Sequence, residues 1–137
     1  MNQQFPVPEW IAPLISQTKT SDATIPVSED AAIDALEKAT RLATDDDSYR
    51  TATVFMQDGT IIEKQEIASF EQIRSIVGGH VEVFTHDGAE IACNEDGGPL
   101  DLPLNLVFAV ATGGIMLVGN VVVLHFSLND SDLPYTA

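Results

Sequence analysis

From Glu29 to Thr44 the apolar residues Ala32, Ile33, Ala35, Leu36, Ala39, Leu42 and Ala43 recur at intervals of three and four. That spacing predicts an amphipathic helix with one apolar stripe. Ser28 stands at its N-cap, and Glu29 and Asp30 complement the positive end of the helix dipole. Asp45-Asp46-Asp47 ends the helix, because carboxylates oppose its negative end. Ala52 to Gln57 and Thr60 to Glu66 read as strands joined by a two-residue turn, Asp58-Gly59. Ser69, with Gln72 three residues on, forms a capping box. Phe70, Ile73, Ile76 and Val77 then line one face of a short helix. Gly78-Gly79 closes it, since glycine enters the left-handed cap freely. His80 to Thr85 and Ala89 to Asn94 make a second hairpin about Asp87-Gly88. Glu95 to Pro99 is a loop. Leu102 to Ala111 is ambiguous; Pro103 at the first helical position, or Asn105 as a cap, would open a short helix. Ile115 to Phe126 reads as one long or two short strands, bulged near Gly119.

This order predicts an α+β fold with a mainly antiparallel sheet of two hairpins and a C-terminal strand. An N-terminal helix and one short helix pack on it. The expected organisation is an N-terminal arm (1–27), an added helix (28–50), an α+β core domain (51–128) and a C-terminal tail (129–137). The expected core includes Leu36, Val54, Ile61, Phe70, Ile73, Val81, Val83, Ile91, Val121 and Val123. In the arm, Trp10 to Ile15 is expected to form a helical turn. It docks either in a groove of its own domain or on a partner, which leaves a homodimer open.

Composition narrows the class. The 137 residues carry a formal charge of −15 and are 45% hydrophobic, too apolar for an acidic disordered tail. Phosphate contacts need Lys and Arg, so direct nucleic-acid binding is not expected. One cysteine, Cys93, excludes an internal disulfide and a four-cysteine zinc site. The N-terminus has no basic leader and is broken by Pro6, Pro8 and Pro13, so no signal peptide is expected. Leu106 to Phe126 is uncharged and long enough to span a membrane. Gly113-Gly114 and Gly119-Asn120 interrupt it, however, and no Lys or Arg flanks it, so buried core is expected instead. The expected setting is the cytoplasm.

The second hairpin offers candidate chemistry. Its turn pairs Glu82 with Cys93 and His80 with Glu95, placing a histidine, a thiol and two carboxylates on one face. Such a set resembles a transition-metal site. Phe84 and Ile91 share that face, which favours Cys93 as a small buried hydrophobe and no metal. No serine stands beside His80 to build a triad. The glycine pairs do not open a helix as a phosphate loop requires, and no cofactor is expected. Asp45-Asp46-Asp47 lacks the spacing of a calcium loop.

Charge distribution is the remaining signal. From Ser75 to Ala137 there is no Lys or Arg, yet there are eight acids. Asp45, Asp46, Asp47, Glu95, Asp96, Asp101, Asp130 and Asp132 are the candidate acidic surface. A solvated face that confers solubility is the ordinary reading. A fixed array of carboxylates also imitates spaced phosphates and fits a channel lined by Lys and Arg.

Four short runs carry a family likeness: VGGHVEVF at 77–84, ACNEDG at 92–97, LPLN at 102–105 and VGNVVV at 118–123. Over about Thr60 to Leu124 the chain resembles an uncharacterised domain family of small proteins, found largely in phages, plasmids and conjugative elements. Val77, Gly78, Gly79, Glu82, Asn94, Glu95, Gly97, Pro103 and Asn105 match its pattern. The chain departs from it before Thr60, in Gly-Gly-Pro after the turn, and in lacking a basic residue after Asn105. The resemblance implies a mobile-element protein in a bacterial cytoplasm, where accessory proteins often disable restriction or CRISPR machinery. The expected function is therefore a non-enzymatic inhibitor that binds a basic surface of a nucleic-acid-handling host protein, with DNA mimicry as the expected route. The alternative is a ligand- or nucleotide-binding protein using Glu82, Asn94, Glu95 and Asn105, the polar members of the motif.

Overall fold

The computed structural model describes residues 4–10, 24–45, 50–96 and 102–128. Helix α1, Glu29–Ala43, begins where Ser28 Oγ accepts the Ala31 amide, and it buries Ala32, Ala35, Leu36 and Ala39. Strands β1 (Phe5–Pro6) and β2 (Thr24–Ile25) form a small antiparallel ladder before it. Strands β3 (Thr51–Phe55) and β4 (Ile61–Glu66) are the first hairpin of the main sheet. Helix α2 (Phe70–Val77) follows, capped by Ser69 as its sequence requires. Strands β5 (Val81–His86) and β6 (Ala89–Asn94) are the second hairpin. Helix α3 (Leu106–Thr112) settles the ambiguous stretch, and Asn105 is its cap. Strand β7 (Val121–Leu124) completes a five-stranded sheet of order β4-β3-β7-β6-β5. Every pairing in it is antiparallel. The molecule is α+β.

Alternation along the strands divides the core in two. Phe55, Ile91, Val121 and Val123 face α1 and α3, where they meet Leu36, Ala39, Phe108 and Ala109. Val7 and Ile25 from the arm close the same cluster. Val54, Ala92, Val122 and Leu124 face α2, where they meet Ile73 and Val77. Phe55 and Phe108 pack edge to face, with centroids 5.5 Å apart.

Three expectations need correction. The first hairpin turn has three residues, Gln57-Asp58-Gly59, because Met56 and Thr60 still pair through a 2.8 Å main-chain bond. Asp58 Oδ1 accepts the Thr60 amide and Gly59 takes φ 96°, which together favour a three-residue loop ending in a left-handed glycine. Val83 is 37% exposed and not core, because β5 is the edge strand of the sheet and has no strand beyond it among the described residues. Ile115 to Phe126, expected as one long or two short strands, holds only an isolated bridge at Val118 and the four-residue β7, whereas the burial expected of 106–126 is found in α3 and β7. Among the described residues no helix is long and apolar enough to cross a membrane. The second hairpin turn has the expected length, with Asp87 and Gly88 both at positive φ.

The packing distinguishes the two faces from the edge. Leu36→Ala is expected to cost about 2–4 kcal/mol in urea unfolding, because the cavity opens between α1 and the sheet. Val83→Thr is expected to change stability by less than about 0.5 kcal/mol. Comparable losses at the two positions would contradict this layering.

Candidate functional site

The family-like motif converges at one end of the sheet, where β3 and β6 finish and β7 begins. Asn94 is buried there. Its Nδ2 donates to the Val77 carbonyl at 2.9 Å, and its Oδ1 accepts the Asp96 amide at 2.7 Å. Gly78 caps α2 at φ 85°, and a Cβ on Gly79 would lie only 3.1 Å from Asn94 Nδ2. The Val-Gly-Gly run and Asn94 are thus one construction, in which a helix end closes tightly on a strand end. Asn105 is fully buried. Its Oδ1 accepts the Phe108 amide, and its Nδ2 donates to the carbonyls of Phe55 and Gly119, both at 2.8 Å. Asn120 does the same work for α2: Nδ2 donates to the Ile76 carbonyl and Oδ1 accepts the Gln57 amide. In the sequence Asn120 shows only as an interruption, with Gly119, of the apolar run. A polar residue placed just before a buried strand was the available signal.

Glu82 and Glu95, the two carboxylates of the motif, lie outside this network and are exposed. Glu82 pairs with Cys93, and Asn94 pairs with Val81, so Glu82 and Asn94 point to opposite faces of the sheet. The four polar motif residues therefore do not converge on one pocket. His80 turns to Asp96, with Nδ1 2.9 Å from Oδ2, and not to Cys93. The Cys93 thiol is buried and lies 3.9 Å from Glu82 Oε1. Burial, reinforced by the neighbouring Glu82 charge, pushes it up to about 11. A thiol held protonated is a poor metal ligand and a poor nucleophile. Among the described residues no three His, Cys, Asp or Glu are placed to hold a metal.

Of the eight proposed surface acids, Asp45, Glu95 and Asp96 are described; Asp46, Asp47, Asp101, Asp130 and Asp132 lie outside the described residues. Asp45 shares an open cleft of about 410 Å³ with Lys38, Arg41 and Leu42, so cations temper its field. Glu95 and Asp96 follow β6 at the asparagine end. Thr44, beside Asp45, approaches Gly88 in the β5–β6 turn. The two acidic groups thus sit at opposite ends of that hairpin, roughly 20 Å apart for six residues of strand. Between and around them lie further exposed acids, Glu82 and Asp87. Helix α1 adds Glu29, Asp30, Asp34 and Glu37 on its outer face. On α1, Lys38 lies 3.1 Å from Asp34, and it reaches Glu63 of β4 at 3.9 Å.

A second polar construction sits at the other end of β7. His125 is 1% exposed, with Nδ1 2.8 Å from Thr51 Oγ1 and Nε2 2.8 Å from Thr53 Oγ1. The Thr53 hydroxyl gives its one proton to the Glu63 carbonyl, at the bulge in β4. It can then only accept from Nε2–H, which leaves Nδ1 to accept from Thr51. The ring is neutral, and burial holds its pKa below the usual histidine value. Among the described residues every buried side-chain nitrogen and oxygen has a partner.

Two outcomes follow from these networks. Asn105→Ala strands two carbonyls and removes a helix cap, so a loss of about 3 kcal/mol is expected by urea unfolding, against less than about 0.5 for Glu95→Ala. His125 takes up a proton near 6.5 in the unfolded chain but only at lower pH in the folded one. Its contribution is complete above that value and declines as pH falls through it. Unfolding midpoints are therefore expected to drop between pH 7.5 and pH 5.5 by more in the native chain than in His125→Gln.

No curated protein and no solved structure matches the chain. A family profile described as "Domain of unknown function (DUF3846)" matches residues 51–134. This stretch runs from β3 through the whole main sheet and holds the motif end described above, so the chain belongs to the DUF3846 family.

Proposed function

We propose that the protein is a non-enzymatic, acidic docking module that binds and inhibits a nucleic-acid-handling host protein by occupying its basic surface. The phage or mobile-element setting in a bacterial cytoplasm, and an anti-restriction or anti-CRISPR role, belong to this reading. The observation that carries it is the division of labour in the motif region. Asn94 and Asn105 spend their amide groups on main-chain atoms, while Glu82 and Glu95 stay in water. The domain keeps its polar interior for itself and turns carboxylates outward. From Ser75 onward no Lys or Arg exists to neutralise them. A rigid sheet edge and hairpin holding Glu82, Asp87, Glu95 and Asp96 can present negative charge at fixed spacing, as a duplex presents phosphates. The same arrangement speaks against the ligand-binding alternative, because Glu82 and Asn94 lie on opposite faces.

Binding of this kind is steered by charge and screened by salt. Affinity for candidate nucleic-acid-processing complexes, measured across a salt series, is expected to fall by about tenfold or more between low and moderate salt. Glu82→Lys combined with Glu95→Lys is expected to weaken binding while leaving the melting temperature nearly unchanged. A flat salt response would overturn the reading.

A further inference from the structure

The two edges of the main sheet are unlike. Strand β4 has a bulge opposite Thr53 and carries Glu63, Lys64 and Glu66 along an exposed ribbon. Bulges and lysines are the devices by which sheet edges avoid accepting another strand. Strand β5 has none of them. Its six residues pair with β6 in unbroken register, and it contains no proline and no lysine. Among the described residues no strand lies on its outer side.

The ladder fixes which main-chain groups face outward. The Glu95 amide donates to the His80 carbonyl at 2.8 Å, so position 80 is a hydrogen-bonded one. Such positions alternate in an antiparallel pair. Glu82, Phe84 and His86 therefore spend their amides and carbonyls on β6, and Val81, Val83 and Thr85 direct theirs outward. On the α2 face beside that edge stands Val83, an exposed valine; on the other face stands the exposed carboxylate of Glu82.

We propose that the β5 edge is a strand-addition site for an extended, basic segment of the partner protein. This rests on the acidic docking reading above and specifies how the contact is made. An incoming strand bonds to Val81, Val83 and Thr85. Its side chains alternate, an apolar residue lying over Val83 and a Lys or Arg reaching Glu82. Charge selects this occupant. The hairpin and all that follows it carry no Lys or Arg, and Asp87 and Glu95 flank the two ends of the edge. A second copy, itself at −15, meets repulsion there.

Amide hydrogen exchange of the full chain, followed residue by residue, tests this with a blocked peptide of alternating Lys and Val as the probe. The expected result is rapid exchange at Val81, Val83 and Thr85 in the free protein and protection of all three with peptide at low salt. Val83→Pro removes an outward amide and no bond to β6. It is expected to weaken peptide binding about tenfold with the fold intact. Glu82→Lys, which leaves the backbone untouched, is expected to do the same. Salt-sensitive binding without protection at those three amides would overturn strand addition and leave acidic docking standing. No binding at low salt would overturn both. Protection already present without peptide would show the edge covered by the chain itself or by a second copy, and would overturn the proposal.

Discussion

A sheet with valine, isoleucine and phenylalanine on both faces cannot remain in water unless both faces are covered. That requirement organises this molecule. The short α2 covers the middle of one face; α1 and α3 share the other, with the arm's Val7 and Ile25 filling the margin. The family match begins at β3, yet the surface that α1 covers belongs to matched strands. The helix before the matched stretch is thus part of the same core, joined to it through Leu36 and Ala39. Coverage stops at the edges of the sheet, which is where side chains become available for contact.

The second constraint is polar. Helix ends brought against strand ends leave amides and carbonyls that water cannot reach. Asn94, Asn105 and Asn120 satisfy them, each using both ends of its amide. Asparagine suits this because it combines an acceptor with two donors on a short stem. The motif's glycines and asparagines are therefore architecture. The acids Glu82 and Glu95 of the same motif take no part in it and stay exposed.

Much of this was legible in the chain. Ser28 and Ser69 announce their helices, and Asp87-Gly88 sets the register that places Glu82 opposite Cys93. Local rules suffice there, because the interactions span only a few residues. The position of Val83 was not legible: alternation marks a face, whereas burial depends on whether a strand is central or at an edge. Likewise, the pairing of His125 with Thr51 and Thr53 joins residues more than 70 positions apart. Thr51 and Thr53 share a face by period two, but nothing local names the strand beside them. The candidate surface suffers the same limit, since the end of α1 and the second hairpin are brought beside each other by packing, not by sequence proximity.

The arm's contact with α1 also has a spectroscopic meaning. Trp10 is the chain's single tryptophan, 39% exposed, and its Nε1 donates to Glu29 Oε2 in the first turn of α1. The indole lies outside the sheet's core while resting on the element that closes it. Its emission therefore reports attachment of the arm separately from melting of the domain, giving the molecule a native optical probe at the junction where the appended segment meets the fold.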